Sequence, residues 1–166
     1  MNDSYCEQLV TRKSSAANMA LRILAILAIP LIAFLLLPLI GTFSLLVATL
    51  YAVLAYYFIF PKFNVEYEYD LLNHDMEISV IYSKANRKKK MSLDIQDADI
   101  IAPKGSPRLN SYHPEKTYDF TSRTDDAKAF AIMLPVGGKL TCVLIEPDDA
   151  ILKNMRGWMG SKMFLD

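Results

Sequence analysis

The densest chemistry-bearing run in this sequence is Arg87-Lys88-Lys89-Lys90. Four adjacent cations suit an anionic surface, where each basic side chain near lipid headgroups contributes about 1 kcal/mol of attraction. A solvated loop whose lysines discourage pairing with a second chain is the other use of such a run. Two imidazoles are available for proton transfer, His74 beside Asp75 and His113 beside Pro114. With a carboxylate in reach, either could act as the base of a hydrolase. No G-x-S-x-G or cysteine nucleophile motif accompanies them, and both read better as turn residues. Asp94, Asp97, Asp99, Asp125 and Asp126 could supply oxygen ligands, but without calcium-loop spacing no metal is expected. Cys6 and Cys142 show neither redox nor zinc spacing, and no disulfide is expected. Phosphate loops, dinucleotide fingerprints and nucleic-acid motifs are absent, so no cofactor is expected. Eighteen basic and eighteen acidic residues cancel, so overall charge does not point to nucleic acid either.

The elements that must hold these groups begin with a stretch that carries no charge at all. Between Arg22 and Lys62 there is no Asp, Glu, Lys, Arg or His. As one straight helix, residues 23–60 would run roughly 57 Å, against a hydrocarbon thickness of about 30 Å. Two spans fit where one does not, and Leu37-Pro38-Leu39-Ile40-Gly41-Thr42 supplies the break. The expected transmembrane hairpin covers 19–61, with helices at 19–37 and 42–60, behind an amino-terminal tail of 1–18. Pro30 predicts a kink in the first span. Arg12, Lys13, Arg22 and Lys62 flank the spans and the turn between them carries no basic residue, which places both termini in the cytoplasm of a multi-pass inner (plasma) membrane protein. Tyr56, Tyr57, Phe58 and Phe60 suit an interfacial belt. Ala48, Ala52 and Ala55 recur at helical spacing and allow close helix approach. Packing within the hairpin is the preferred use, and a face joining copies in a homo-oligomer is the alternative. A transporter or pump is not expected, because no ionisable group stands inside either span.

From residue 64 the pattern changes to strict alternation. Val65, Tyr67, Tyr69 and Leu71 oppose Glu66, Glu68 and Asp70, and Met76, Ile78, Val80 and Tyr82 continue it after a short loop at Asn73-His74. The stretch 84–90 turns the chain, and a third strand from Met91 through Ile95 extends towards Ile101. Residues 102–114 read as a long loop. Further strands are expected near 117–121, 128–136 and 139–146, the last two joined at Gly137-Gly138, for five to seven antiparallel strands in all. Pro147-Asp148-Asp149 then starts a helix over about 148–160, with Ile151, Leu152, Met155, Trp158 and Met159 on its apolar face.

Antiparallel strands closed by one amphipathic helix with Trp158 as its cap resemble the pleckstrin-homology-like (PH-like) fold. The two spans and the ending CVLIEPDDAILKNMRGWM are similar to uncharacterised bacterial membrane proteins with such a domain. The resemblance implies an α+β chain: a two-helix membrane hairpin followed by a cytoplasmic PH-like sheet or barrel over 62–166. The basic first hairpin loop of lipid-binding PH domains is matched here to Leu72-Asn73-His74-Asp75, which has no Lys or Arg, so phosphoinositide recognition is not implied.

The expected function is that of a non-enzymatic interaction module tethered to the lipid bilayer. It would bind a protein partner or the inner leaflet, with Arg87, Lys88, Lys89 and Lys90 against anionic headgroups. The alternatives are a membrane-bound hydrolase using His113 or His74, and a small accessory subunit of a larger membrane complex.

Overall fold

The computed structural model describes residues 5–165; residues 1–4 of the expected tail, Asp166, and the side chain of Lys62 on which part of the flank argument rests lie outside the described residues. The chain runs β1 (Tyr5–Thr11), α1 (Ala16–Ile40), α2 (Phe43–Leu54), β2 (Val65–Leu72), β3 (Asp75–Tyr82), β4 (Asn86–Asp94), β5 (Ile100–Pro103), β6 (Lys116–Asp119), β7 (Phe130–Val136), β8 (Lys139–Ile145) and α3 (Asp149–Met159). Two compact units result: Ser14–Val65 with Tyr82–Asn86 make one, and the remaining strands with α3 make the other.

The strand unit is two four-stranded sheets, ordered β1-β2-β3-β4 and β5-β7-β8-β6. In the second sheet β7 and β8 are joined by Gly137-Gly138, both at positive φ as a two-residue hairpin turn requires. Both faces of that sheet are covered. Ile100, Ala102, Ala131, Met133, Cys142 and Leu144 form one cluster, against which Leu109, Tyr112, Leu140 and Phe164 pack. The alternate residues Ile101, Ile132, Val143 and Ile145 are buried with Tyr69, Leu71, Met76 and Ile78 of the first sheet. The unbroken apolar runs of β7 and β8 therefore follow from burial on two sides. Helix α3 is capped by Asp148, whose Oδ1 accepts the Ile151 N–H at 2.8 Å, and it buries Ile151, Met155 and Met159.

Several expectations are corrected. Among the described residues eight strands form, and β6 pairs with β8 in parallel, because the long loop before it returns the chain in the same direction as β8. The third strand ends at Asp94. A 3-10 turn, Ile95–Asp97, carries the chain out of the first sheet, and β5 belongs to the second. Residues 5–11, read as tail, form β1, which pairs with β2 from Tyr5↔Leu72 to Thr11↔Glu66. The first inter-strand connection of the domain is therefore not Leu72-Asn73-His74-Asp75 but residues 12–64, which contain the apolar helices.

The helices also differ from the expected pair. Pro38 lies inside α1 and does not end it; loss of one N–H in the last turn leaves the helix free to continue until Gly41, whose φ of 59° closes it with an N–H···O bond to Leu37. At 25 residues α1 is long and apolar enough to cross a membrane, and among its residues Ala25 alone is buried. The second apolar helical run, Phe43–Ile59, is shorter. At 1.5 Å per residue it spans about 25 Å, so among the described residues one helix passes the test of spanning length rather than two. Its last turn, Ala55–Ile59, is a π-helix.

Candidate functional site

Strand β1 is tied into the strand unit by its side chains. Its sequence puts Cys6, Gln8 and Val10 on one face and Tyr5, Glu7, Leu9 and Thr11 on the other, by strand alternation. Val10 is buried, and Gln8 stands beside it on the same face. The Gln8 amide is spent on backbone: Nε2 donates to the Glu146 carbonyl at 2.9 Å, and Oε1 accepts the Asp148 N–H at 2.8 Å. One side chain thus ties β1 to the end of β8 and the start of α3. Past the strand, the Lys13 N–H donates to the Ser122 carbonyl at 2.7 Å. Tyr69 makes a second tie. Its buried hydroxyl donates to the Phe120 carbonyl at 2.5 Å and accepts the Glu146 N–H at 3.3 Å, and burial pushes the phenol well above its ordinary pKa.

The other face of β1 and β2 carries a charge network. Tyr5 donates to Glu7 at 2.9 Å and to Asp70 at 3.2 Å, and its bond to Glu7 helps push the phenol up to about 12. Arg87 pairs with Glu68 at 2.7 Å and with Asp70. Glu68 is buried, and that burial raises its carboxyl above the usual range, with Asp70 adding to the rise and Arg87 opposing it. Lys89 pairs with Glu77. The basic run therefore lies on strand β4 at the edge of the first sheet, not in a turn. Arg87 and Lys89 are occupied by carboxylates of β2 and β3; Lys88 and Lys90, out of phase with them, remain exposed.

His74, in the β2–β3 turn, stands 3.0 Å by Nδ1 from Asp94 and 3.8 Å from Asp75, with its ring edge-on to Trp158 at 5.4 Å. Asp94 is already engaged, since its Oδ1 accepts the Gln96 N–H at 2.8 Å. His74 is about one-third exposed, on an open turn. His113 is exposed in the loop before β6. Trp158 is 41% exposed and is not the buried cap expected of it. Ile151, Met155 and Met159 define the covered stripe of α3, and Trp158 falls about 60° to one side of its centre. Asp125 and Asp126 are exposed in a loop distant in sequence from Asp94, Asp97 and Asp99, and Cys142 is a buried free thiol.

In the helical unit Ala48 and Ala55 are buried and Ala52 is half-buried, with Ala25 the buried position of α1. Tyr56, Tyr57 and Phe58 are exposed on the π turn. Arg22 lies over the Phe60 ring at 5.8 Å. Ser14 donates to the Phe63 carbonyl at 3.3 Å and the Ser83 N–H donates to the Asn64 carbonyl at 2.9 Å, which ties the base of both helices and the β3–β4 turn together. Sequence reasoning missed β1 and the π turn. Tyr5 to Thr11 does alternate, but with an amide facing inward the signal is weak.

Two four-stranded sheets and a carboxy-terminal amphipathic helix define an α+β domain of the PH-like kind. The model of the family described as "Bacterial PH-like domain (DUF6106)" matches residues 2–165, and the chain belongs to that family. The matched span encloses the apolar helices as well as both sheets. Neither the curated proteins nor the solved structures contain a match to the chain.

Proposed function

We propose that this protein is a non-enzymatic interaction module held at the cytoplasmic face of the plasma membrane, its PH-like domain anchored by a helical hairpin inserted between the first two strands. One observation carries the reading: β1 and β2 are neighbours in register, Thr11 opposite Glu66, while residues 12–64 between them include a helix fit to cross a bilayer. A sheet cannot be shared across a membrane. If α1 crosses, the chain must cross back before Val65, and Phe43–Ile59 is the apolar run available for the return. Its shortness is tolerable, because bilayers thin and flanking aromatics adjust at modest cost. A cleaved leader is disfavoured by the same pairing, since cleavage would remove β1 from its sheet. Arg12, Lys13 and Arg22 on one side and an uncharged Gly41-Thr42 turn on the other favour cytoplasmic termini. Tethering suits a weak binder, because confinement raises its effective concentration without new contacts.

The hydrolase alternative is weaker, since the carboxylate that His74 meets, Asp94, is already engaged by the Gln96 N–H and no nucleophile motif accompanies the pair. The test is a cysteine-free chain carrying Thr42→Cys, expressed in bacterial cells. Thr42→Cys is expected to react with a membrane-impermeant maleimide in intact cells, while a cysteine at Lys139 reacts only after permeabilisation. Recovery of the chain in the soluble fraction, or labelling at Lys139 in intact cells, would overturn the reading.

A further inference from the structure

We propose that the groove between α1 and α2 holds one acyl chain of a phospholipid, with Arg22 at the lipid's phosphate. This rests on the membrane placement proposed above. The groove has a volume of about 400 Å³, within the range of small-ligand sites. Leu21, Leu24 and Ala28, at i, i+3 and i+7, form the α1 wall; Tyr51, Ile59 and Phe63 form the other. In an unbroken α-helix Ile59 would stand about 80° round the axis from Tyr51. The π turn Ala55–Ile59 absorbs an extra residue and sets Ile59 back by about one residue's angle, which puts both on the groove wall. Such turns are rare and recur at functional sites.

Three properties select the occupant. The lining is hydrocarbon apart from the Tyr51 hydroxyl, so water gains little there. Left unfilled, the walls forfeit dispersion contacts, which a flexible hydrocarbon chain restores. The volume of about 400 Å³ suits a slender hydrocarbon chain along its length, whereas a second copy's helix would insert only a ridge of side chains. Arg22, next to Leu21 and over the Phe60 ring beside Ile59, supplies the cation that a phosphate at the interface would meet. Its stem lies on an apolar helix and its guanidinium stands over Phe60, near the span end where arginines meet headgroups.

The experiment uses the full chain in membrane vesicles containing phosphatidylglycerol with a diazirine midway along one acyl chain, followed by peptide mapping of the adducts. Adducts are expected to concentrate on residues 21–28 and 51–63. Ala28→Phe should lower them roughly tenfold, a loss of about 1.4 kcal/mol of binding, while adducts at the exposed Phe34 and Leu46 persist and report an intact, embedded chain. Arg22→Gln should lower groove labelling by the phosphatidylglycerol probe and spare that by a diazirine diacylglycerol, which has no phosphate. Adducts spread evenly over the helices and insensitive to Ala28→Phe would overturn the site while leaving the membrane anchor standing. No adducts anywhere, with the chain in the supernatant, would overturn both.

Discussion

Replacing Tyr69 by Phe removes one oxygen atom from the interior and leaves the ring in place. The Tyr69 hydroxyl is fully buried, and two backbone groups of the second sheet's side depend on it: the Phe120 carbonyl at 2.5 Å and the Glu146 N–H at 3.3 Å. Stranding a buried polar group costs about 1–3 kcal/mol, with the longer contact at the low end, so the pair sums to about 2–3 kcal/mol. For a domain of this size 1 kcal/mol shifts the melting temperature by about 4 °C, and Tyr69→Phe is expected to lower it by roughly 8–12 °C. Thermal unfolding of the full chain in detergent micelles, followed by near-ultraviolet circular dichroism, reads the effect. Tyr67→Phe is the control. Its ring is equally buried and packs edge-on against Phe120 at 5.5 Å, but its hydroxyl makes no hydrogen bond among the described residues. A melting temperature for Tyr69→Phe within two or three degrees of the parent, or an equal fall for Tyr67→Phe, would refute the claim that this hydroxyl joins the two sheets.

Asp119 is pushed up by burial, but hydrogen bonds from the Thr121 hydroxyl and N–H, with the Arg123 guanidinium at 3.0 Å, outweigh that and hold it below the ordinary carboxylate range. Its stabilisation is present above the unfolded pKa and lost as pH falls through the folded one. Asp119→Asn should therefore melt lower at neutral pH, with the gap closing in acid; a gap independent of pH would contradict this. Asp148→Ala removes the cap of α3 and should cost about 1 kcal/mol in denaturant unfolding, with Asp148→Asn recovering most of it. Lys88→Val with Lys90→Val removes the unpaired charges of the β4 edge and should promote concentration-dependent association, read by light scattering. Monodisperse behaviour equal to the parent would count against that edge role.

Four strands were legible from the order of their residues, β2 and β3 as alternation and β7 and β8 as unbroken apolar runs. Pro147-Asp148 and Gly137-Gly138 were legible for the same local reason: cap and turn chemistry need no distant partner. β1 was not. Its inward face holds Gln8, a residue explained only by two backbone groups nearly 140 positions away, and its ladder partner lies beyond both apolar helices. The run 87–90 hid a strand because an edge strand can be charged on both faces, and the carboxylates that hold Arg87 and Lys89 come from strands whose register had to be known first. Trp158 was assigned to the covered face because it extends an apolar pattern; its position at the flank of that stripe depends on what α3 packs against. The π turn has no local signature, since 55–59 is an unremarkable apolar run.

The pairing of β1 with β2 around a hairpin proposed to be embedded in the bilayer is tested most directly by a cross-link. In a chain with Cys6→Ser and Cys142→Ala, cysteines at Thr11 and Glu66 stand opposite one another in the ladder, within disulfide reach. Oxidation of washed membranes with copper phenanthroline is expected to close an intramolecular disulfide in chains that remain in the membrane pellet and are extracted only by detergent. Efficient closure confined to soluble chains, or membrane-embedded chains that fail to close it, would contradict a PH-like domain split by its own membrane anchor.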